Sequence, residues 1–186
     1  MLKIFVPGSE EYDPVNNIFF YTKDTTLVLE HSLVSISKWE SKWKIPFLSL
    51  DKGMTQDQLR DYVKCMTLTQ NVDPNVYYAI TAEQYKEIIA YMEDPMSATT
   101  IDEKQLRRRQ KGGRRTGAVT SELVYYWMSA LNLPSEYQKW HFNRLMKLIQ
   151  VASLEQEEPQ KMSKRDIYSQ NRALNKARRA KHHTRG

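Results

Sequence analysis

Glu30-His31-Ser32-Leu33-Val34-Ser35-Ile36-Ser37-Lys38-Trp39-Glu40-Ser41-Lys42-Trp43 is the stretch at which the chain changes period. After Ser32 the apolar residues Leu33, Ile36, Trp39 and Trp43 recur at spacings of three, three and four, one stripe of a helix that ends near Pro46. Before it the pattern is extended. Leu2–Val6 is a short apolar run closed by Pro7-Gly8, and Ile18–Tyr21 and Thr25–Leu29 supply β-branched and aromatic residues. Gly8, Asp13-Pro14 and Asn16-Asn17 read as turn chemistry between them. A small antiparallel β element therefore precedes a helical body, and His31, at a strand end, is expected to face solvent.

Downstream, Thr55-Gln56-Asp57-Gln58 and Thr81-Ala82-Glu83-Gln84 are capping boxes, each satisfying two orphan backbone donors at a helix start. The first opens a helix with Leu59, Tyr62, Val63 and Met66 inward; the second opens one with Tyr85, Ile88, Ile89 and Met92, stopped by Asp94-Pro95. Residues 96–118 carry Gly112, Gly113 and Gly117 among crowded cations and are expected to form a mobile basic loop. Thr120 or Ser121 then caps a helix bearing Leu123, Val124, Trp127, Met128 and Leu131. Asn132-Leu133-Pro134 breaks it, and a second helix starts near Ser135 with Tyr137, Trp140, Leu145, Leu148, Ile149 and Ala152 inward. So short a break predicts an αα-hairpin. Ser163-Lys164-Arg165-Asp166 opens a last helix over 165–180 with few apolar residues and no convincing core face, which is expected to leave the body. The predicted fold class is α+β, mainly helical: a β element over 1–32 packed on a helical body over 33–155, then a basic C-terminal extension over 156–186.

With 186 residues, 40% hydrophobic and 27% charged, the chain is long enough for one core without disulfide or metal staples. A single cysteine, Cys65, excludes an internal disulfide and any Cys-rich zinc site. No apolar run reaches the length of a membrane span, and Leu2–Val6 is too short for a signal peptide, so a soluble intracellular chain is expected. The net charge of +6 is segregated: residues 161–186 hold nine Lys/Arg against Asp166 alone, and residues 104–115 hold seven and no acid. The remainder carries 12 basic and 21 acidic residues, an acidic body with two separate basic segments.

Enzyme chemistry is not indicated. Lys111-Gly112-Gly113-Arg114-Arg115-Thr116-Gly117 lacks the spacing and the preceding strand of a phosphate-binding loop. The four histidines have no metal-ligand spacing, and nothing in the spacing of His141, Cys65 and Glu136 brings them together as a nucleophile system. His141 reads as a hydrogen-bonded structural residue, Cys65 as a small core residue, and Glu122 as an acid placed by the helix dipole. No catalytic residue, metal or cofactor is assigned.

The aromatic residues are more informative. Tyr125, Tyr126 and Trp127 are consecutive and cannot share a helix face, because successive positions differ by about 100°. Either both faces are buried among helices or one is offered to a partner. Trp39, Trp43, Tyr125, Tyr126, Trp127 and Trp140 are the candidate partner contacts, with Arg172, Arg178 and Arg179 of the tail as a second, cationic contact. Arg107, Arg108, Arg109, Lys111, Arg114 and Arg115 are candidates for polyanion binding. That segment lacks the aromatics needed to stack bases, so any nucleic-acid binding there would be salt-sensitive and unspecific.

The same blocks carry a family resemblance. The run from Ser32 to Trp43 with Pro46-Phe47-Leu48, then Asp61-Tyr62-Val63-Lys64-Cys65-Met66-Thr67, resembles tail assembly chaperones of long-tailed, siphovirus-type bacteriophages. Thr120-Ser121-Glu122-Leu123-Val124-Tyr125-Tyr126-Trp127-Met128, Gln138-Lys139-Trp140-His141-Phe142-Asn143-Arg144-Leu145 and Asn171-Arg172-Ala173-Leu174-Asn175 extend it over most of residues 30–186. The resemblance implies a non-catalytic role in the host bacterial cytoplasm: binding the long helical tape measure protein and keeping it soluble until tail tube polymerises around it. It also implies a frameshift-extended longer form as a partner, besides the chain itself. Two other readings stay open, a structural tail or connector protein of the virion and a nucleic-acid-binding accessory protein.

Overall fold

The computed structural model describes residues 1–13, 17–50, 53–100, 118–155 and 164–182. The chain is mainly helical α+β. Four strands come first: β1 (Leu2–Val6), β2 (Glu10–Asp13), β3 (Ile18–Tyr21) and β4 (Thr25–Leu29). β1 pairs antiparallel with β4, Leu2 opposite Leu29, and β2 pairs with β3, Glu10 opposite Tyr21. β2 occupies residues whose neighbours read as turns, because a strand of sequence Glu-Glu-Tyr-Asp has no apolar alternation to announce it.

Between the two pairs lies a joint. Ser9 O accepts from Thr22 N–H at 2.9 Å, Ser9 N–H donates to Thr22 Oγ1 at 3.0 Å, and Gly8 N–H donates to Asp24 Oδ1 at 2.7 Å. A Cβ on Gly8 would stand 2.7 Å from the Thr22 carbonyl oxygen, so the joint requires glycine.

Helices α1 (Leu33–Trp43), α2 (Gln56–Met66) and α3 (Ala82–Glu93) follow. The Thr55/Gln58 and Thr81/Gln84 capping boxes form as the sequence predicts, and Ser32 with Ser35 makes a third. α1 stops at Lys44, which takes a left-handed conformation at φ 55°. Ile4, Val6, Leu27 and Leu29 from one face of β1–β4 meet Leu33, Ile36 and Trp39 of α1 and Tyr62, Val63 and Met66 of α2 in a single buried core. Residues after α2 close the outer edge of β4: Leu68 N–H donates to Val28 O at 2.8 Å and Glu30 N–H to Met66 O at 2.9 Å. Ile88 is the one fully buried apolar residue of α3, and Ile89, predicted inward, is 38% exposed.

α4 (Ser121–Ala130) and α5 (Phe142–Glu155) complete the body, joined by residues 131–141 with a 3-10 turn over Ser135–Lys139. The predicted second hairpin helix thus begins at Phe142, not at Ser135, and the connection is longer than a three-residue break. Its cause is long-range: His141 makes an isolated antiparallel bridge with Ser32, and Phe142 N–H donates to His31 O at 2.7 Å. The start of α4 is also capped from afar. Thr120 is the N-cap residue but its side chain makes no cap bond; Glu40 Oε2 accepts from Ser121 N–H at 2.8 Å, while Oε1 accepts from Phe47 N–H at 2.8 Å.

The chain divides into two compact units, Met1–Ala152 and Ser153–Gly186. In the second, α6 (Lys164–His182) is a 19-residue helix with exposed Tyr168, Arg172, Leu174, Arg178 and Arg179. Among the described residues, no helix is long and apolar enough to cross a membrane.

Candidate functional site

α5 presents two faces. Phe142, Leu145 and Ile149 point into the core. Arg144, Lys147, Leu148 and Val151 lie on another face and, with Trp140 just before the helix, line one wall of a groove of about 460 Å³. The other wall is Met96, Ser97, Ala98 and Thr99, where the chain leaves α3. That wall is shaped by local bonds: Met96 N–H donates to Asp94 Oδ1 at 2.7 Å, Thr99 N–H to Ser97 Oγ at 3.1 Å, and Met96 is left-handed at φ 47°. Asn143 fixes the two walls to each other. Its Nδ2 donates to Met92 O and Asp94 O, both at 2.8 Å, and so satisfies carbonyls orphaned at the end of α3.

Trp140 is the centre of the groove's chemistry. Tyr137 stacks on it with ring centroids 4.0 Å apart at 26°, and the Arg144 guanidinium lies 4.5 Å from its ring centroid. Tyr125 is tied into the same region, its hydroxyl donating to Gln138 Oε1 at 3.1 Å. Among the described residues no carboxylate pairs with Arg144 or Lys147, and no lining residue is acidic. An aromatic and aliphatic floor with two cations on its rim suits an apolar segment edged with carboxylates.

The other sequence candidates are dispersed. Trp39 is fully buried and its Nε1–H donates to Gln58 O at 2.9 Å, which makes it a core residue and removes it from any contact surface. Its spacing predicted a buried stripe equally well, and the structure chooses that. Trp43 is half-buried and stacks on Trp39 at 6.1 Å; neither lines the groove. Trp127 is half-buried, whereas Tyr126 is 64% exposed, so the two faces of α4 are a buried and an open one. Arg172, Arg178 and Arg179 are exposed on α6. Arg107, Arg108, Arg109, Lys111, Arg114 and Arg115 lie outside the described residues, as does most of the predicted loop 96–118.

A second polar assembly was not foreseen. His31 is 3% exposed, contrary to the solvent-facing role expected, and its Nδ1 is 2.5 Å from the Tyr62 hydroxyl. Tyr62 Oη is 3.3 Å from Ser35 Oγ, and the His31 ring packs edge-on against His141 with centroids 5.1 Å apart. His141 Nε2 lies 3.0 Å from Tyr91 O; a carbonyl can only accept, so this ring carries its proton on Nε2. The Tyr91 hydroxyl donates to Glu30 Oε1 at 2.9 Å, and the Met1 ammonium meets Glu30 Oε2 at 3.0 Å.

Burial pushes His31 down to about 3, helped by the neighbouring His141, and also lowers His141. Burial raises the hydroxyls of Tyr62 and Tyr91. Neutral rings pinned between β4, α2, α3 and α5 hold elements together, and with His31, Tyr62 and His141 each at most 7% exposed they offer no surface for a substrate. The signal missed was the pairing of two distant histidines, each followed by an element start. Burial also raises the Cys65 thiol, with Asp61 adding to it, which leaves it a poor nucleophile. The Glu122 carboxyl is held below the usual range chiefly by its own backbone N–H at the helix start. Among the described residues no group of three or more His, Cys, Asp or Glu could hold a metal ion. No protein-family model, curated protein or solved structure matches the chain.

Proposed function

We propose that the chain acts without catalysis, as a tail assembly chaperone that binds the tape measure protein during phage tail morphogenesis in the bacterial cytoplasm. The observation that carries this reading is the Trp140 groove, an open aromatic surface rimmed by Arg144 and Lys147 on a helix whose opposite side is locked into the core. A long helical partner exposes amphipathic segments before assembly, and a groove of this composition takes one such segment through apolar contact and rim charge. Exposed Tyr126 extends the accessible aromatic surface of the body.

Co-expression with the expected partner, a phage tape measure protein, tests the proposal. The partner should be recovered soluble with the intact chain and largely insoluble without it, and Trp140→Ala with Arg144→Glu should lower the soluble fraction several-fold. Equal partner solubility with and without the chain overturns the assignment. A second reading, unspecific polyanion binding, is favoured by the exposed cations of α6. It predicts a gel shift that disappears steeply with salt and on Arg178→Glu/Arg179→Glu.

A further inference from the structure

The β2–β3 pair forms a two-stranded sheet of its own, separate from β1–β4. Its register places Glu10 opposite Tyr21 and Tyr12 opposite Phe19, so these four residues share one face. Tyr12 and Phe19 pack with centroids 5.0 Å apart, the Tyr21 hydroxyl donates to Glu10 Oε1 at 2.9 Å, and Tyr12, Phe19 and Tyr21 are 48%, 61% and 69% exposed. A lone two-stranded ribbon is marginal in water, and three neighbouring exposed rings on one face form a patch that a stable partner covers.

Charge selects the occupant. β2 reads Glu-Glu-Tyr-Asp and β3 reads Ile-Phe-Phe-Tyr, so the ribbon is acidic with no cation in either strand; Glu10 stands on the ring face, and Glu11 and Asp13 belong to the opposite one. Ribbon-on-ribbon pairing of two copies would bring carboxylates of like sign together, which is destabilising. A cationic segment with apolar side chains of its own fits instead, since Lys and Arg gain from the Glu10 carboxylate and the ring faces beside it. Helix α6 has that composition: Lys164, Arg165, Arg172, Lys176, Arg178, Arg179 and Lys181 against Asp166 alone, with Tyr168 75% and Leu174 51% exposed.

We infer that the ring-bearing face of the β2–β3 ribbon is a docking surface for helix α6 of a second copy of this chain. Each copy carries both halves, so a two-fold dimer makes the contact twice. The inference stands on the ribbon and α6 and is independent of the Trp140 groove.

Sedimentation velocity of the full chain provides the test. The intact protein should dimerise at about 50 mM salt and dissociate substantially at about 500 mM, where the Debye length falls well below the reach of exposed charges. Glu10→Lys and, separately, Arg178→Glu/Arg179→Glu should each weaken the dimer by about tenfold or more. Mixing the two variants restores opposite charge at both contacts and should restore dimerisation. Tyr12→Ala/Phe19→Ala should weaken it at every salt concentration. A protein that stays monomeric across the concentration range, which includes the case in which α6 covers its own ribbon, overturns the inference. So does a dimer indifferent to these substitutions, or a mixture no more associated than its components.

Discussion

Glu40 shows how much one buried side chain can organise. Its two carboxylate oxygens accept from Phe47 N–H, just beyond α1, and from Ser121 N–H at the start of α4, both at 2.8 Å. Ser121 is 81 residues away, so no local pattern marks the contact, and the Thr120/Ser121 cap expected from sequence is replaced by a long-range one. Glu40→Ala leaves two buried donors unpaired and should cost about 3 kcal/mol, read from urea unfolding. Glu40→Gln keeps one acceptor and turns an amide N–H toward the other donor, so an intermediate loss is expected. Equal stability of all three proteins would show that the carboxylate is dispensable.

The histidine pair sets a pH dependence at the same scale. His31 is held neutral in the fold at a pKa of about 3, against about 6.5 when exposed. A depressed folded value means that the neutral form is favoured by folding. Its contribution is therefore complete above pH 6.5 and is lost progressively as pH falls towards 3. By pH 5 the loss amounts to about 2 kcal/mol from His31 alone, and His141, shifted the same way, adds to it. Unfolding free energy measured between pH 8 and pH 4 should be level at first and then fall. Replacing His31 with Gln lowers the plateau and flattens most of that slope.

At the scale of elements, what was readable in the sequence was what is encoded within one helical turn. Both threonine capping boxes, the stop at Asp94-Pro95 and the apolar stripe of α1 depend on neighbours three or four residues apart. β2, the delayed start of α5 and the burial of His31 depend on partners elsewhere: a strand pairing, the Ser32–His141 bridge and Tyr62. The groove was half legible. Trp140 stood out as a candidate contact but was read as an inward residue of the helix it in fact precedes. Met96 to Thr99 came from a segment read as loop, and the bonds of Asn143 that bring the two walls together span 51 and 49 residues. Asn143→Ala should thus cost about 1–2 kcal/mol through two lost bonds to α3 carbonyls. Faster amide exchange near the C-terminus of α3 and weaker partner binding should accompany it, although Asn143 lies outside the groove lining. Unchanged exchange there would mean that the wall is held by something else.

The whole molecule separates stability from charge. Among the described residues, every buried apolar core residue lies between Ile4 and Ile149, within the unit Met1–Ala152, while residues 161–186 carry nine cations. Folding free energy comes mainly from burying apolar surface, and exposed cations contribute little to it. A chain ending at Glu155 should therefore unfold at nearly the same urea concentration as the full chain. The same truncation removes α6, and with it the predicted self-association and any salt-sensitive binding of polyanions by the tail. It leaves the Trp140 groove complete, so rescue of the co-expressed partner separates the two surfaces. Retained rescue by the truncated chain assigns chaperone activity to the groove, whereas loss of rescue with an unchanged unfolding midpoint assigns it to the basic helix.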